Sequence, residues 1–185
     1  MEKDSFTGRS ILMPKHIYLA MVTHCFRKLS GEYLENEIRE AKAFGLIGGI
    51  RNDRGYEIRA CLPLLKNVRT DSDQCDFMDG IMAEHAIPSE TPLEKRGWVA
   101  DPGELMSCTR KLRELDCILL GTYHMHRVAW EHDKTRDTPT KLDTILGKGS
   151  RLLMFIISMV DPERPILRAF SEGDIREEIP IQIIS

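Results

Sequence analysis

Two histidines one residue apart, His124-Met125-His126, close an apolar run that begins at Cys117. In a strand, residues i and i+2 project from the same face. The two imidazoles then point to one side, at a spacing that suits the grip of a single metal ion. Neutral imidazole nitrogen and carboxylate oxygen both suit zinc, and a catalytic zinc takes three protein ligands and a water. The third, acidic ligand is expected from the polar stretch downstream, where Asp137 and Asp143 both qualify.

The surrounding elements have to hold that pair in place. Residues 117–123 predict a buried strand with the histidines at its end. Residues 43–50 and 56–65 are apolar runs joined by Asn52-Asp53-Arg54-Gly55, which predicts a hairpin. Ile11 to Met13 is apolar, and Pro14 suits the first turn of a helix that carries an apolar stripe through residue 29. A second, charged helix is expected over 33–41, a short strand over 75–78 and an exposed loop over 84–97. Asp101-Pro102-Gly103-Glu104 predicts a helix start with a capping box, running to Leu115 with Leu105, Cys108, Leu112 and Leu115 inward. Thr138-Pro139 opens a short helix to Leu146. Residues 152–160 predict a central strand, and 166–170 and 178–184 later ones. Trp98 and Trp130 are expected to be buried aromatic anchors, with the lining of a groove as the alternative. The sum is an α/β or α+β sandwich around one mixed sheet.

With 185 residues the chain is read as a single domain, and a formal net charge of -3 gives no global signature of nucleic-acid binding. No window approaches a membrane span. The polar start, Met1 to Arg9, does not read as a secretory signal. The five cysteines are odd in number and scattered, which predicts reduced, mostly buried thiols in a cytoplasmic protein.

The segment Leu119-Leu120-Gly121-Thr122-Tyr123-His124-Met125-His126, followed by Thr138-Pro139-Thr140-Lys141-Leu142-Asp143, resembles the JAMM signature of the JAB/MPN metalloprotease family. Further stretches resemble it too: Ile11 to Leu29, Ala43-Phe44-Gly45-Leu46-Ile47-Gly48, Cys61-Leu62-Pro63 with Asn67, and Arg151 to Phe170. The likeness spans nearly the whole chain. It implies a cytidine-deaminase-like fold, a mixed sheet flanked by helices, with insertions near 30–41, 84–97 and 127–137. It also implies that His124, His126 and Asp143 are zinc ligands, and that Thr140 stands where the family's oxyanion-stabilising serine does. The activity implied is hydrolysis of an amide or isopeptide bond by zinc-activated water, at a ubiquitin-like or sulfur-carrier tail.

Two alternatives stay open. Asp143 keeps the family's local Ser-x-x-Asp pattern, with Thr140 for serine, whereas Asp137 keeps its usual count from the histidines. The family's general-base glutamate falls on Lys42 here, so the expected base is Glu40, with Glu37 a weaker candidate. If neither serves, the resemblance implies a scaffold that binds a protein partner without cleaving it.

Overall fold

The structure, a computed structural model, describes residues 9–87 and 92–185. The first eight residues and the middle of the 84–97 loop lie outside the described residues.

β1 (Ser10–Pro14) runs directly into α1 (Lys15–Leu29), with Pro14 at the junction. The fixed φ of proline suits the entry to a helix, and its missing N–H is not needed there. β2 (Phe44–Asn52) and β3 (Gly55–Pro63) form the expected antiparallel hairpin. α2 (Ser72–His85) and a short 3-10 turn (Leu93–Lys95) precede α3 (Pro102–Glu114). β4 (Ile118–His126), α4 (Lys141–Gly147), β5 (Leu153–Ser158), β6 (Ile166–Ser171) and β7 (Ile181–Ile184) complete the chain.

The seven strands form one sheet in the order β6-β5-β4-β2-β3-β1-β7. β4 runs parallel to β5 and antiparallel to β2, so the sheet is mixed, as expected. β5 is buried at every position, consistent with a strand covered on both faces. Tyr123 and Met125 of β4 belong to the core formed with Ile17, Met21 and Cys25 of α1. By strand alternation, His124 and His126 face away from α1. On that opposite side Leu46, Leu64 and Cys108 pack with Phe44, Trp98 and Leu105. Gly45 is required at its position, because a Cβ there would overlap the Tyr123 ring.

Several expectations fail for identifiable reasons. Residues 75–78 are helical, as part of α2, and Met78 and Met82 are its buried i, i+4 pair. Residues 33–41 form no helix: Asn36 has φ 64°, and the Glu37 carboxylate accepts the Leu34 amide at 2.8 Å. Asp101 caps α3 by accepting from the Glu104 amide at 2.7 Å. Glu104 does not reach back to complete a capping box. Its two oxygens instead accept the Leu65 and Lys66 amides at 2.7 and 3.0 Å, tying the exit of β3 to α3. Leu115 is 55% exposed, not inward.

Glu37 sits in a buried ionic cluster under α1. Arg27 donates to it in a two-pronged pair. Lys28, wholly buried, lies 3.6 Å away and also donates to the Ile38 carbonyl at 2.6 Å. His24 Nε2 lies 3.5 Å from the same carboxylate, and His24 Nδ1 is 2.7 Å from the Tyr123 hydroxyl. Burial opposes the charge on Glu37, but the Arg27 hydrogen bond, the Leu34 amide and Lys28 outweigh it and hold its pKa down to about 2. Burial lowers His24 to about 4, against the pull of Glu37.

A pH dependence follows. The unfolded chain takes up a proton on His24 near the ordinary imidazole value, while the folded chain resists it until about pH 4. Stability contributed by neutral His24 is thus full above about pH 6.5 and is lost as pH falls toward the folded value. Urea unfolding across that window should show a decline of roughly 3 kcal/mol, and His24→Gln should flatten most of it. An unchanged slope in the variant would place the titration elsewhere.

Candidate metal centre

His124 Nε2 and His126 Nε2 lie 3.1 Å apart. Asp143 reaches both, Oδ1 at 3.4 Å from His124 Nε2 and Oδ2 at 3.6 Å from His126 Nε2. Ligand atoms bound to one tetrahedral zinc at ~2.0–2.1 Å are separated from each other by roughly 3.3 Å. The histidine pair lies close to that value, and with one oxygen taken for Asp143 the three ligand atoms lie within 4.8 Å of one another. Among the described residues, these three side chains are the one group of His, Cys, Asp and Glu that could close on a single ion.

The proton arrangement also fits a cation. His126 Nδ1 is 2.9 Å from the Arg136 carbonyl, which can only accept, so Nδ1 carries the hydrogen. Burial lowers the His126 pKa, against the pull of Asp143, so the ring is neutral and Nε2 presents a lone pair. That lone pair faces the Asp143 carboxylate, an arrangement that is repulsive unless a positive charge lies between them. Burial works against ionisation of Asp143, but positive charge and N–H donation at the imidazole edges outweigh it and hold its pKa well below the carboxylate range, the part a bound cation would take over where the rings are neutral. A neutral imidazole oriented by a carbonyl, beside an ionised carboxylate, is a donor set suited to zinc.

Local structure places each donor. His126 and His124 end β4, registered against Ser158 and Ile156 of β5. The His124 ring stacks on Phe44, which stacks in turn on Trp98, each pair with centroids 6.1 Å apart. Asp143 is fixed by the capping box of α4. Thr140 Oγ1 accepts from the Asp143 amide at 3.1 Å, and Asp143 Oδ2 accepts from the Thr140 amide and hydroxyl, each at 2.7 Å. One motif therefore starts the helix and aims the carboxylate. Thr140→Ala should cost about 1 kcal/mol of stability and weaken zinc binding by about 10–100-fold, as read by titration against a zinc indicator. Unchanged affinity would mean that the cap does not orient the ligand.

The other candidates fall elsewhere. Asp137 accepts from Thr135 Oγ1 at 2.8 Å and from Arg168 at 3.3 Å, away from the histidine pair. In the same loop, His132, which was no candidate, packs its ring on Trp130, and Asp133 accepts the Arg136 amide. Glu37 is held in the α1 cluster. Glu40 Oε2 accepts from Asn67 Nδ2 at 3.0 Å and pairs with Lys42 at 3.0 Å. Lys42, not Glu40, is among the described residues lining the cavity of about 330 Å³ beside the centre. Sequence reasoning missed the Arg136 carbonyl and the Phe44–Trp98 stack. Both depend on contacts between distant segments, for which neither residue type carries a local signal.

No protein-family profile and no curated protein matches the chain. Among the solved structures that the chain resembles, two are similar over nearly its whole length. A solution structure of a protein from Desulfitobacterium hafniense has a TM-score of 0.62 at 20% identity, with 95% of this chain and 93% of that one covered. A solution structure of a protein from Salinibacter ruber has a TM-score of 0.50 at 16% identity, covering 94% and 89% respectively. At these identities the likeness is one of fold: a mixed sheet flanked by helices. No helix among the described residues is long and apolar enough to cross a membrane, and all five cysteines are free thiols.

Proposed function

We propose that this chain is a zinc-dependent metallopeptidase of the JAB/MPN type, acting on an amide or isopeptide bond at a ubiquitin-like or sulfur-carrier tail. The observation that carries this reading is the convergence of His124, His126 and Asp143, whose ligand atoms lie within 4.8 Å of one another, near enough to close on one zinc. Zinc held there would supply a Lewis acid and a water that ionises near neutral pH.

The chain's own residues divide the remaining work. The Arg136 carbonyl keeps the hydrogen of His126 on Nδ1. Phe44 fixes the plane of His124. The Thr140 hydroxyl, now given to Asp143, is the donor proposed to turn to a developing oxyanion. Glu40 is the carboxylate proposed to take up the proton, which requires its ion pair with Lys42 to open.

A second reading is a zinc-holding module that binds a protein tail without cutting it. The Glu40–Lys42 pair, with Lys42 on the cavity side, is what favours it. Zinc content, with His124→Ala as control, tests the metal. Cleavage of ubiquitin-like and sulfur-carrier fusions, with Glu40→Gln and Lys42→Glu in parallel, tests the chemistry. Activity abolished by Glu40→Gln supports the peptidase. Activity created only by Lys42→Glu supports the binding module.

A further inference from the structure

We infer that the cavity beside the metal centre selects an acidic peptide, so that the tail presented there carries carboxylates next to an apolar side chain. The inference rests on the metallopeptidase reading for the site's use, but its physical basis is the cavity wall. Lys42, Lys95, Arg96, Arg127, Arg136 and Lys141 all line it. Asp143 is the only carboxylate among the described lining residues, and it is occupied with the two histidines. This concentration does not reflect a basic chain, since the formal net charge is -3.

Some of these cations are already engaged. Lys42 pairs with Glu40 at 3.0 Å. Arg96 donates to the Ile87 carbonyl at 2.8 Å. Arg136 lies over the Trp130 ring, 3.3 Å from its centroid, with Asp133 at 3.8 Å. Lys95, Arg127 and Lys141 are exposed, and none has a carboxylate partner among the described residues. Three positive charges with no carboxylate partner among the described residues, around one opening, favour a negatively charged occupant and disfavour a basic one.

The floor narrows the class. Phe44, Met78, Met82 and Trp98 give the same cavity an apolar surface, which a bare inorganic anion would leave uncovered. Methionines also adapt to side chains of different shape. The occupant that satisfies rim and floor together is a peptide with an apolar residue flanked by aspartate or glutamate.

The test uses the full chain, ¹⁵N-labelled, both chelator-stripped and zinc-loaded, titrated by NMR with end-capped pentapeptides. Each peptide has a central leucine flanked on both sides by aspartates, asparagines or lysines. The aspartate peptide is expected to bind about tenfold tighter than the asparagine peptide, and the lysine peptide most weakly. The preference should shrink at an ionic strength of about 0.5 M. The double variant Lys95→Glu with Lys141→Glu, both sites exposed, should reverse it. Equal affinities, or tighter binding of the lysine peptide, would overturn the inference. So would an aspartate peptide that binds as well with its leucine replaced by glycine, since the occupant would then be any anion. Zinc content is read on the same samples. Charge preference without zinc binding strikes the metallopeptidase reading alone, and zinc binding without charge preference strikes this inference alone.

Discussion

Glu37→Gln is expected to cost about 3–5 kcal/mol of folding stability, the range found when one partner of a buried ion pair is removed. Glu37 is the carboxylate that faces Arg27, Lys28 and His24 together. Lys28 has no solvent exposure, so it cannot replace its lost partner with water. It would keep the Ile38 carbonyl, a neutral acceptor that does not compensate a full charge. The Leu34 amide would keep a weaker acceptor. Urea unfolding of the two proteins at neutral pH measures the difference. A loss below about 1 kcal/mol would mean the cluster behaves like a surface ion pair. The wild-type protein should lose the same interaction in acid. Because the folded pKa of Glu37 lies near 2, below the ordinary carboxylate value, its contribution is present above about pH 4.5 and fades as pH falls toward 2.

Asp143→Ala and His126→Ala should abolish most of the stabilisation that zinc confers. A ligand present at about a thousandfold excess over its Kd stabilises a fold by about 4.1 kcal/mol. Loss of an oriented partner of a ligand weakens metal binding by about 10–100-fold, and loss of the ligand itself should do more. A hundredfold loss removes about 2.7 kcal/mol of that gain. The wild-type melting temperature should therefore rise with added zinc while that of either variant stays nearly flat. Asp137→Ala serves as the control and should respond like the wild type, because Asp137 is engaged by Arg168 and Thr135. An equal zinc response in Asp143→Ala would remove Asp143 from the centre.

The legible parts of the fold were those with local signals. The Asn52–Gly55 turn between two apolar runs is enough to announce the hairpin. The alternation around His124 and His126 is enough to put both rings on one face. Thr138-Pro139 announced a short helix, but its start falls two residues later, where Thr140 and Asp143 form the capping box. α2 was not readable over 75–78: its buried stripe, Met78 and Met82, is interrupted by the 64% exposed Phe77, so a four-residue window reads as a strand. Segment 33–41 has helical composition, but its conformation is decided by Glu37 reaching cations on α1. The choice between Asp137 and Asp143 depended on where the 127–137 loop folds back. The hydrogen bond from His126 to the Arg136 carbonyl fixes that fold. Glu40 was named as base from its place in the chain, whereas its partners Lys42 and Asn67 follow from the packing of β3 and its exit.

X-ray absorption at the zinc edge of the purified wild-type protein examines the metal centre directly. The expected spectrum shows one zinc per chain, a nitrogen and oxygen shell at ~2.0–2.1 Å, and the outer scattering of two imidazoles. A sulfur shell near 2.3 Å, or no zinc retained at one equivalent, would contradict a centre built from His124, His126 and Asp143.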